Sequence, residues 1–298
     1  MKCPQWGCSV AKDRWPELCK TVESDDDLPV RDVGSWTEDK LWFWHRYVEI
    51  TTAAMAKHQK WNGMVYVDMF AGPGVCKIRS SERRIPGSTI VAAQASKPFT
   101  KIIAVELDSE NANALRMRLQ TIAPDASVIV YQEDCNTVID KIVNDLPAGA
   151  LTLAFFDPEG LDFEFTTVET LVKGRAVDLL VLFADAYDIV RNVDLYVSQE
   201  SSKLDRLLGT KEWRDEWGKI NNRKSVVICD FFATQFESQL RDQLGYKEFR
   251  RKRINGPKGA LYTLIFASKH QKGGEFWDKI SKRDSGGQME IPFNGDPL

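Results

Sequence analysis

The segment Met64-Val65-Tyr66-Val67-Asp68-Met69-Phe70-Ala71-Gly72-Pro73-Gly74 narrows the folds open to this chain more than any other. Its first half alternates β-forming residues and reads as a buried strand. The strand runs straight into a glycine turn, where Gly72 and Gly74 permit positive φ and let backbone N–H groups approach a ligand closely. Pro73 stiffens the loop between them. An open parallel sheet binds its ligand at such strand ends, and Asp68 would present a carboxylate there. A dinucleotide fingerprint needs a third glycine at position 77, which is a lysine, so nicotinamide chemistry is disfavoured.

The next strand signals support the same architecture. Residues 101–108 form a second apolar strand ending on Glu106, the position from which a carboxylate grips ribose hydroxyls in this kind of sheet. Residues 126–131 form a third strand, followed by a loop carrying Asp134. The fourth, Leu151-Thr152-Leu153-Ala154-Phe155-Phe156, is apolar but for Thr152, as a central parallel strand should be, and ends in Asp157-Pro158-Glu159-Gly160. Residues 177–185 are the fifth. Residues 186–224 break the alternation and read as a helical insertion, either a substrate cap presenting Tyr187 and Arg191 or a packing extension around Trp213 and Trp217. A helix over 225–244 and two strands over 246–254 and 260–267, joined by Asn255-Gly256-Pro257-Lys258-Gly259, close the chain as a hairpin. The expected fold is α/β: a Rossmann-like, seven-stranded, mostly parallel sheet with helices on both faces.

Ahead of the first strand, residues 36–58 carry Leu41, Trp44 and Val48 at helical spacing, with Thr37 as the expected N-cap. Trp42 and Phe43 widen the apolar arc, so this helix should be largely buried, with His45 and His58 packed or at the surface. Residues 1–35 are expected to be a Cys-rich segment ending in a solvated acidic linker, Glu23-Ser24-Asp25-Asp26-Asp27, and 36–298 the α/β domain. Cys3, Cys8 and Cys19 do not match paired zinc spacing and are weak metal candidates. Residues 76–85 form a basic insertion in which Lys77, Arg79, Arg83 and Arg84 face one acid, either an exposed loop or a clamp for phosphates or carboxylates. A net charge of -3 gives no global attraction to nucleic acid. The N-terminus has no apolar leader and no run is long enough to span a membrane, so a cytoplasmic protein is expected.

Taken together, Asp68-x-Phe70-x-Gly72-x-Gly74 followed by Glu106 resembles motifs I and II of class I S-adenosylmethionine-dependent methyltransferases. More narrowly, the chain resembles the three-Cys-motif partner protein family (TcmP). That likeness rests on residues 68–74, Gly87-Ser88, Glu106, Phe156-Asp157-Pro158-x-Gly160, Arg191-Asn192 and Leu261-Tyr262-x-Leu264-Ile265-x-Ala267-Ser268. Members usually carry an aromatic where this chain has Glu159. The resemblance implies S-adenosylmethionine as cofactor, held by Asp68, Phe70, Gly72 and Gly74 at the methionine end, Glu106 at the ribose and Asp134 at the adenine. Asp157, with Glu159 as a second base, would serve the methyl acceptor. Lys77, Arg79, Arg83, Arg84, Tyr187 and Arg191 are the substrate candidates. The family name further implies a three-cysteine, radical-S-adenosylmethionine-like partner. Two other readings stand beside the enzyme: a catalytically silent scaffold for that partner, and a nucleic-acid-modifying methyltransferase gripping phosphates with Arg79, Arg83, Arg84 and Arg250 to Arg253.

Overall fold

The computed structural model describes residues 13–56, 60–257 and 259–281. Helix α1 (Trp15–Lys20) and strand β1 (Arg31–Val33) precede the long helix α2 (Trp36–Met55). Strand β2 (Met64–Asp68) is followed by the hairpin β3 (Val75–Ile78) and β4 (Arg84–Pro86), then by α3 (Ser88–Ala93). Next come β5 (Lys101–Val105), α4 (Ser109–Ile122), β6 (Val128–Tyr131), α5 (Ile139–Asp145), β7 (Leu151–Phe156), α6 (Phe165–Val172) and β8 (Ala176–Phe183). A π-helical turn, Asp185–Ile189, leads into α7 (Val190–Ser198), α8 (Lys203–Leu208), α9 (Trp213–Lys219) and α10 (Ser225–Leu244). The hairpin β9 (Glu248–Gly256) and β10 (Gly259–Ser268) and helix α11 (Gln271–Ile280) complete it. Among the described residues no helix is long and apolar enough to cross a membrane.

Seven strands form one sheet in the order β6-β5-β2-β7-β8-β10-β9. The sheet is mixed: β6, β5, β2, β7 and β8 pair in parallel, while β10 runs against both β8 and β9. β2 lies between β5 and β7, so the strand order reverses direction beside it, and Asp68 faces Ala104 on one side and Phe155 on the other. Such a reversal opens a crevice at the carboxyl ends of the strands. The basic insertion is not an open loop. β3 and β4 pair as a hairpin and join β1 in a second, three-stranded sheet.

Alternation along the strands sorts the core into two layers. Val65, Val67, Ile103, Ala154 and Phe156 pack with α5, α6 and α10, whereas Tyr66, Ile102, Leu153 and Phe155 pack with α2 and α11. Trp44 of α2 stacks on Phe155 at 4.9 Å between ring centroids. The helix is buried almost all round, and its N-cap is Ser35, not Thr37, which is buried within the first turn. His58 lies outside the described residues. Trp213 and Trp217 of the 186–224 insertion are buried in the first layer against Phe232, so they serve packing.

The acidic run is not a solvated linker. Arg118 on α4, 3% exposed, directs its whole guanidinium at the N-terminal segment and the glycine loop. It donates to Asp26 at 2.7 and 2.8 Å, to the carbonyls of Leu28 and Pro29, and to the Pro73 carbonyl at 2.6 Å. Arg84 pairs with Asp25 and Asp26. The Arg118 hydrogen bonds, with Arg84 beside them, hold the Asp26 carboxyl far below the usual carboxylate range. Trp15 and Leu18 of α1 are buried in the second layer. Cys19 is a free, half-buried thiol, pushed up to about 11 by burial, while Cys3 and Cys8 lie outside the described residues. Among the described residues no His, Cys, Asp or Glu cluster is arranged for a metal.

Two outcomes follow from this packing. Arg118→Met leaves three carbonyls without this donor and Asp26 with Arg84 alone, and should cost about 3 kcal/mol in urea unfolding, against under about 0.5 kcal/mol for an exposed control such as Lys219→Met. His45, fully buried, has no hydrogen-bond partner on either ring nitrogen among the described residues, and burial pushes it from 6.5 down to about 4. The unfolded chain therefore binds a proton that the native state refuses. Stability is full above the unfolded value and is lost as pH falls through the window between the two, on the order of 1–2 kcal/mol from pH 7 to pH 5. A flatter stability-versus-pH curve in His45→Leu would identify this group as the source.

Candidate active site

The glycine loop sits where β2 ends, and its left-handed backbone favours glycine, most strongly at Gly74. Gly72 has φ +61° and Gly74 φ +85°, and a Cβ on Gly74 would lie 2.8 Å from Leu115. The Gly72 amide donates to Glu106 Oε2 at 2.8 Å, and the other Glu106 oxygen accepts from the Asp108 amide at 2.9 Å. The Gly87 amide donates to the Gly74 carbonyl at 2.7 Å, and a Cβ on Gly87 would press to 2.9 Å against that carbonyl oxygen. The close approach that a dinucleotide fingerprint obtains from its third glycine is thus made by a glycine that follows the β3–β4 hairpin and caps α3.

Asp68 lies beneath this loop, fully buried. Because Tyr66 and Asp68 share a face of β2, the Tyr66 hydroxyl donates to the Asp68 carboxylate at 2.8 Å. Thr89 of α3 does the same at 2.8 Å, and the Phe70 amide at 3.3 Å. Burial raises the Asp68 pKa. The residue lines neither of the two cavities at the sheet edge. It joins β2, the loop and α3, so its place is that of a positioning group below the loop rather than a wall of the crevice.

The larger cavity, about 990 Å³, occupies the crevice where the strand order reverses and is bounded by Phe70, Gly72, Glu106 and Asp134. Its wall carries Glu106, Asp108, Glu133, Asp134, Asp157, Glu159, Asp162 and Glu164 against Arg31, Lys203 and Arg206. Several of these acids are neutralised: Lys203 pairs with Asp162, Arg206 with Glu164 and Lys141 with Glu133. Glu106, Asp108 and Asp134 accept only backbone hydrogen bonds, from Gly72 and Asp108, from Asn111 and from Asn136 respectively, and have no cation partner among the described residues. The crevice end of β5 and β6 is therefore negatively charged.

A smaller cavity of about 400 Å³ lies against the loop and shares Arg31, Phe70, Gly72, Asp157 and Glu159 with the first. At this junction Lys40 of α2, 8% exposed, pairs with Asp157 at 2.5 Å. Arg31 pairs at 3.0 Å with Glu159, whose side chain is 82% exposed. Burial opposes the Arg31 charge, yet Asp157, Glu159 and Glu106 nearby raise its pKa. Neither Lys40 nor Arg31 stands in a recognisable motif. The one signal for Lys40 is its place on the stripe that runs through Leu41, Trp44 and Val48, where a cation must be buried and paired.

Of the basic residues read as a clamp, only Arg79 reaches a cavity, the smaller one, while donating to the Asp32 carbonyl at 2.8 Å. Lys77 pairs with Asp32 and Glu82, Arg83 with Glu38, and Arg84 with Asp25 and Asp26. The pairs with Asp25, Asp26 and Asp32 fasten the hairpin to the N-terminal segment, and that with Glu38 fastens it to α2. Tyr187 lines the smaller cavity and stacks on Tyr262 with centroids 5.8 Å apart. Arg191 lines neither cavity and lies over the Tyr187 ring. Arg250, Arg251 and Arg253 are spent on Asp278, on Glu237 and Asp230, and on Asp185.

No family model matches the chain. Over 103 residues it is 31% identical to the cytoplasmic leucine–tRNA ligase of Saccharomyces cerevisiae, a match taking in 34% of this chain and 9% of that protein. Among solved structures it is similar to an O-methyltransferase from Bacillus cereus in complex with SAH, at 15% identity, 88% and 94% coverage of the two chains and a TM-score of 0.47. It is also similar to protein LPL1258 of Legionella pneumophila, at 12% identity, 80% and 88% coverage and a TM-score of 0.49. None of these likenesses identifies the chain, and the strand order and site geometry stand on their own.

The clamp between Glu106 and Gly72 has a direct readout. Glu106→Ala should speed hydrogen exchange at the Gly72 amide by at least about tenfold, with the β7 amides unchanged, because the loop loses its one side-chain acceptor there. Unchanged exchange would mean that Glu106 does not hold the loop.

Proposed function

We propose that the chain is an S-adenosylmethionine-dependent methyltransferase. The observation that carries this reading is the sign of the larger cavity at its nucleoside end, where Glu106, Asp108 and Asp134 form no ion pair among the described residues. Phosphate-bearing nucleotides would meet like charge there, and the loop that approaches them in dinucleotide enzymes is here tied to a carboxylate. A nucleoside without phosphates avoids that repulsion, and its ribose hydroxyls and adenine amine are donors that the carboxylates can accept from. The crevice at the reversal point also has room for one, since about 990 Å³ is at the large end of small-molecule sites.

In this assignment Glu106 accepts the ribose hydroxyls and Asp134 the adenine amine, while Phe70 and the Gly72–Gly74 backbone border the methionine end. Asp68 keeps its place under the loop and sets the position of Phe70. The donor, when bound, supplies a methyl group activated by its sulfonium, so the protein needs chiefly to bind and align. Asp157, at the junction of the two cavities, orients the acceptor. Glu159 reaches the same junction from the surface.

Calorimetry tests the reading. S-adenosylmethionine and S-adenosylhomocysteine should bind, ATP and NAD should not, and Glu106→Ala should weaken both ligands by about tenfold or more, the scale of a lost charge-assisted hydrogen bond. Absence of heat from both adenosyl ligands with the wild-type protein would refute the assignment.

A further inference from the structure

We propose that the smaller cavity takes a small, planar acceptor that presents an anionic oxygen to Lys40 and Arg31. This rests on the donor reading of the larger cavity and adds the chemistry of the acceptor to it. About 400 Å³ admits a small molecule of one or two rings, and Trp36, Leu41, Leu182, Leu261 and Tyr262 give it apolar and aromatic walls.

The polar end of the cavity decides the class. The Lys40 ammonium is buried and lines the cavity, and among the described residues Asp157 is its one partner. An ammonium has three N–H donors, so others remain for a ligand. Arg31 stands at the same junction, where among the described residues its one ion pair is with the exposed Glu159, a pair that contributes little and is easily exchanged for a better one. Lys40 and Arg31 thus stand against the buried Asp157 and the exposed Glu159, and the spare Lys40 donors face the point where a sulfonium would also arrive. A neutral arylamine, whose lone pair is delocalised into the ring, would be a poor acceptor for the spare Lys40 donors, whereas an anionic oxygen accepts from them strongly and can take the place of the exposed Glu159 beside Arg31. Asp157 then orients the acceptor indirectly, by holding Lys40.

The transfer balances without a proton. A lone pair of the acceptor oxygen forms the new O–CH₃ bond as the S–CH₃ bond breaks, and that bonding pair remains on sulfur. The negative charge of the oxygen and the positive charge of the sulfonium are both lost, giving a thioether and a methyl ether or ester.

Binding measures this without turnover. The protein, saturated with S-adenosylhomocysteine, is titrated with 4-nitrophenol in a buffer alkaline enough to ionise it, and separately with the neutral, isosteric 4-nitroaniline, each followed by its visible absorbance. The phenolate should bind saturably and the aniline at least about tenfold more weakly, and Lys40→Met should weaken the phenolate about tenfold or more. Leu261→Trp, which fills the cavity without touching the charges, should block the phenolate while leaving S-adenosylhomocysteine affinity intact. Equal binding of the two probes, or no phenolate binding by the loaded protein, overturns the proposal even if Lys40→Met fails to fold. S-adenosylhomocysteine is titrated first: its failure to bind sinks the donor reading and this one together, whereas its binding without the phenolate sinks this one alone.

Discussion

Arg118 is the interaction on which the arrangement of the site depends. One guanidinium on α4 reaches the side chain of Asp26, the carbonyls of Leu28 and Pro29, and the carbonyl of Pro73 between the two loop glycines. Arginine suits this because its donors form a rigid planar fork, so ordering the side chain once satisfies several acceptors together. The bonds hold the N-terminal segment beside the glycine loop, and from that segment β1 carries Arg31 to the junction of the two cavities. A buried guanidinium is costly to desolvate, and here every part of that cost is met by acceptors that themselves need a donor.

The charges around the crevice divide into two kinds of place. Toward β5 and β6 Glu106, Asp108 and Asp134 form no ion pair among the described residues, which favours a nucleoside that brings hydrogen-bond donors and no phosphate. Toward α2 and β1 the cations Lys40 and Arg31 gather around Asp157, which favours a negatively charged partner on the far side of the glycine loop. Methyl transfer from a sulfonium-bearing nucleoside to an anionic oxygen fits that division. The loop itself is held by neither ligand but by Glu106 above and Asp68 below, through Gly72 and Phe70.

Much of the scaffold was legible in the chain because it is governed by short-range rules. The strands at 64–68, 101–105, 128–131 and 151–156 follow their apolar runs, the terminal hairpin follows its glycine turn, and α10 has the limits expected of it. Glu106 and Asp134 were readable as crevice residues because each lies within three residues of a strand end, and a strand end in such a sheet has only one place to go. Asp68 looked equivalent and is not: the same alternation that marks its strand puts it on the inward face beside Tyr66, where α3 closes over it. The acidic run and the basic hairpin each read as a solvated stretch when taken alone. Their charges cancel across 58 or more positions of chain, through Arg84 and Arg118, and no local pattern carries that.

By itself, then, the sequence determined the chain order of the seven strands of the main sheet and the glycine turn after β2, since both depend on local backbone preference and side-chain alternation. Only the tertiary structure decided which charges meet. Lys40 beside Asp157, Arg31 between the two cavities and Gly87 against Gly74 are contacts between elements brought together by sheet order and layer packing. Charge pairing acts through space at a few ångströms, whereas sequence records only separation along the chain, so the chemistry of the site had to wait for the fold.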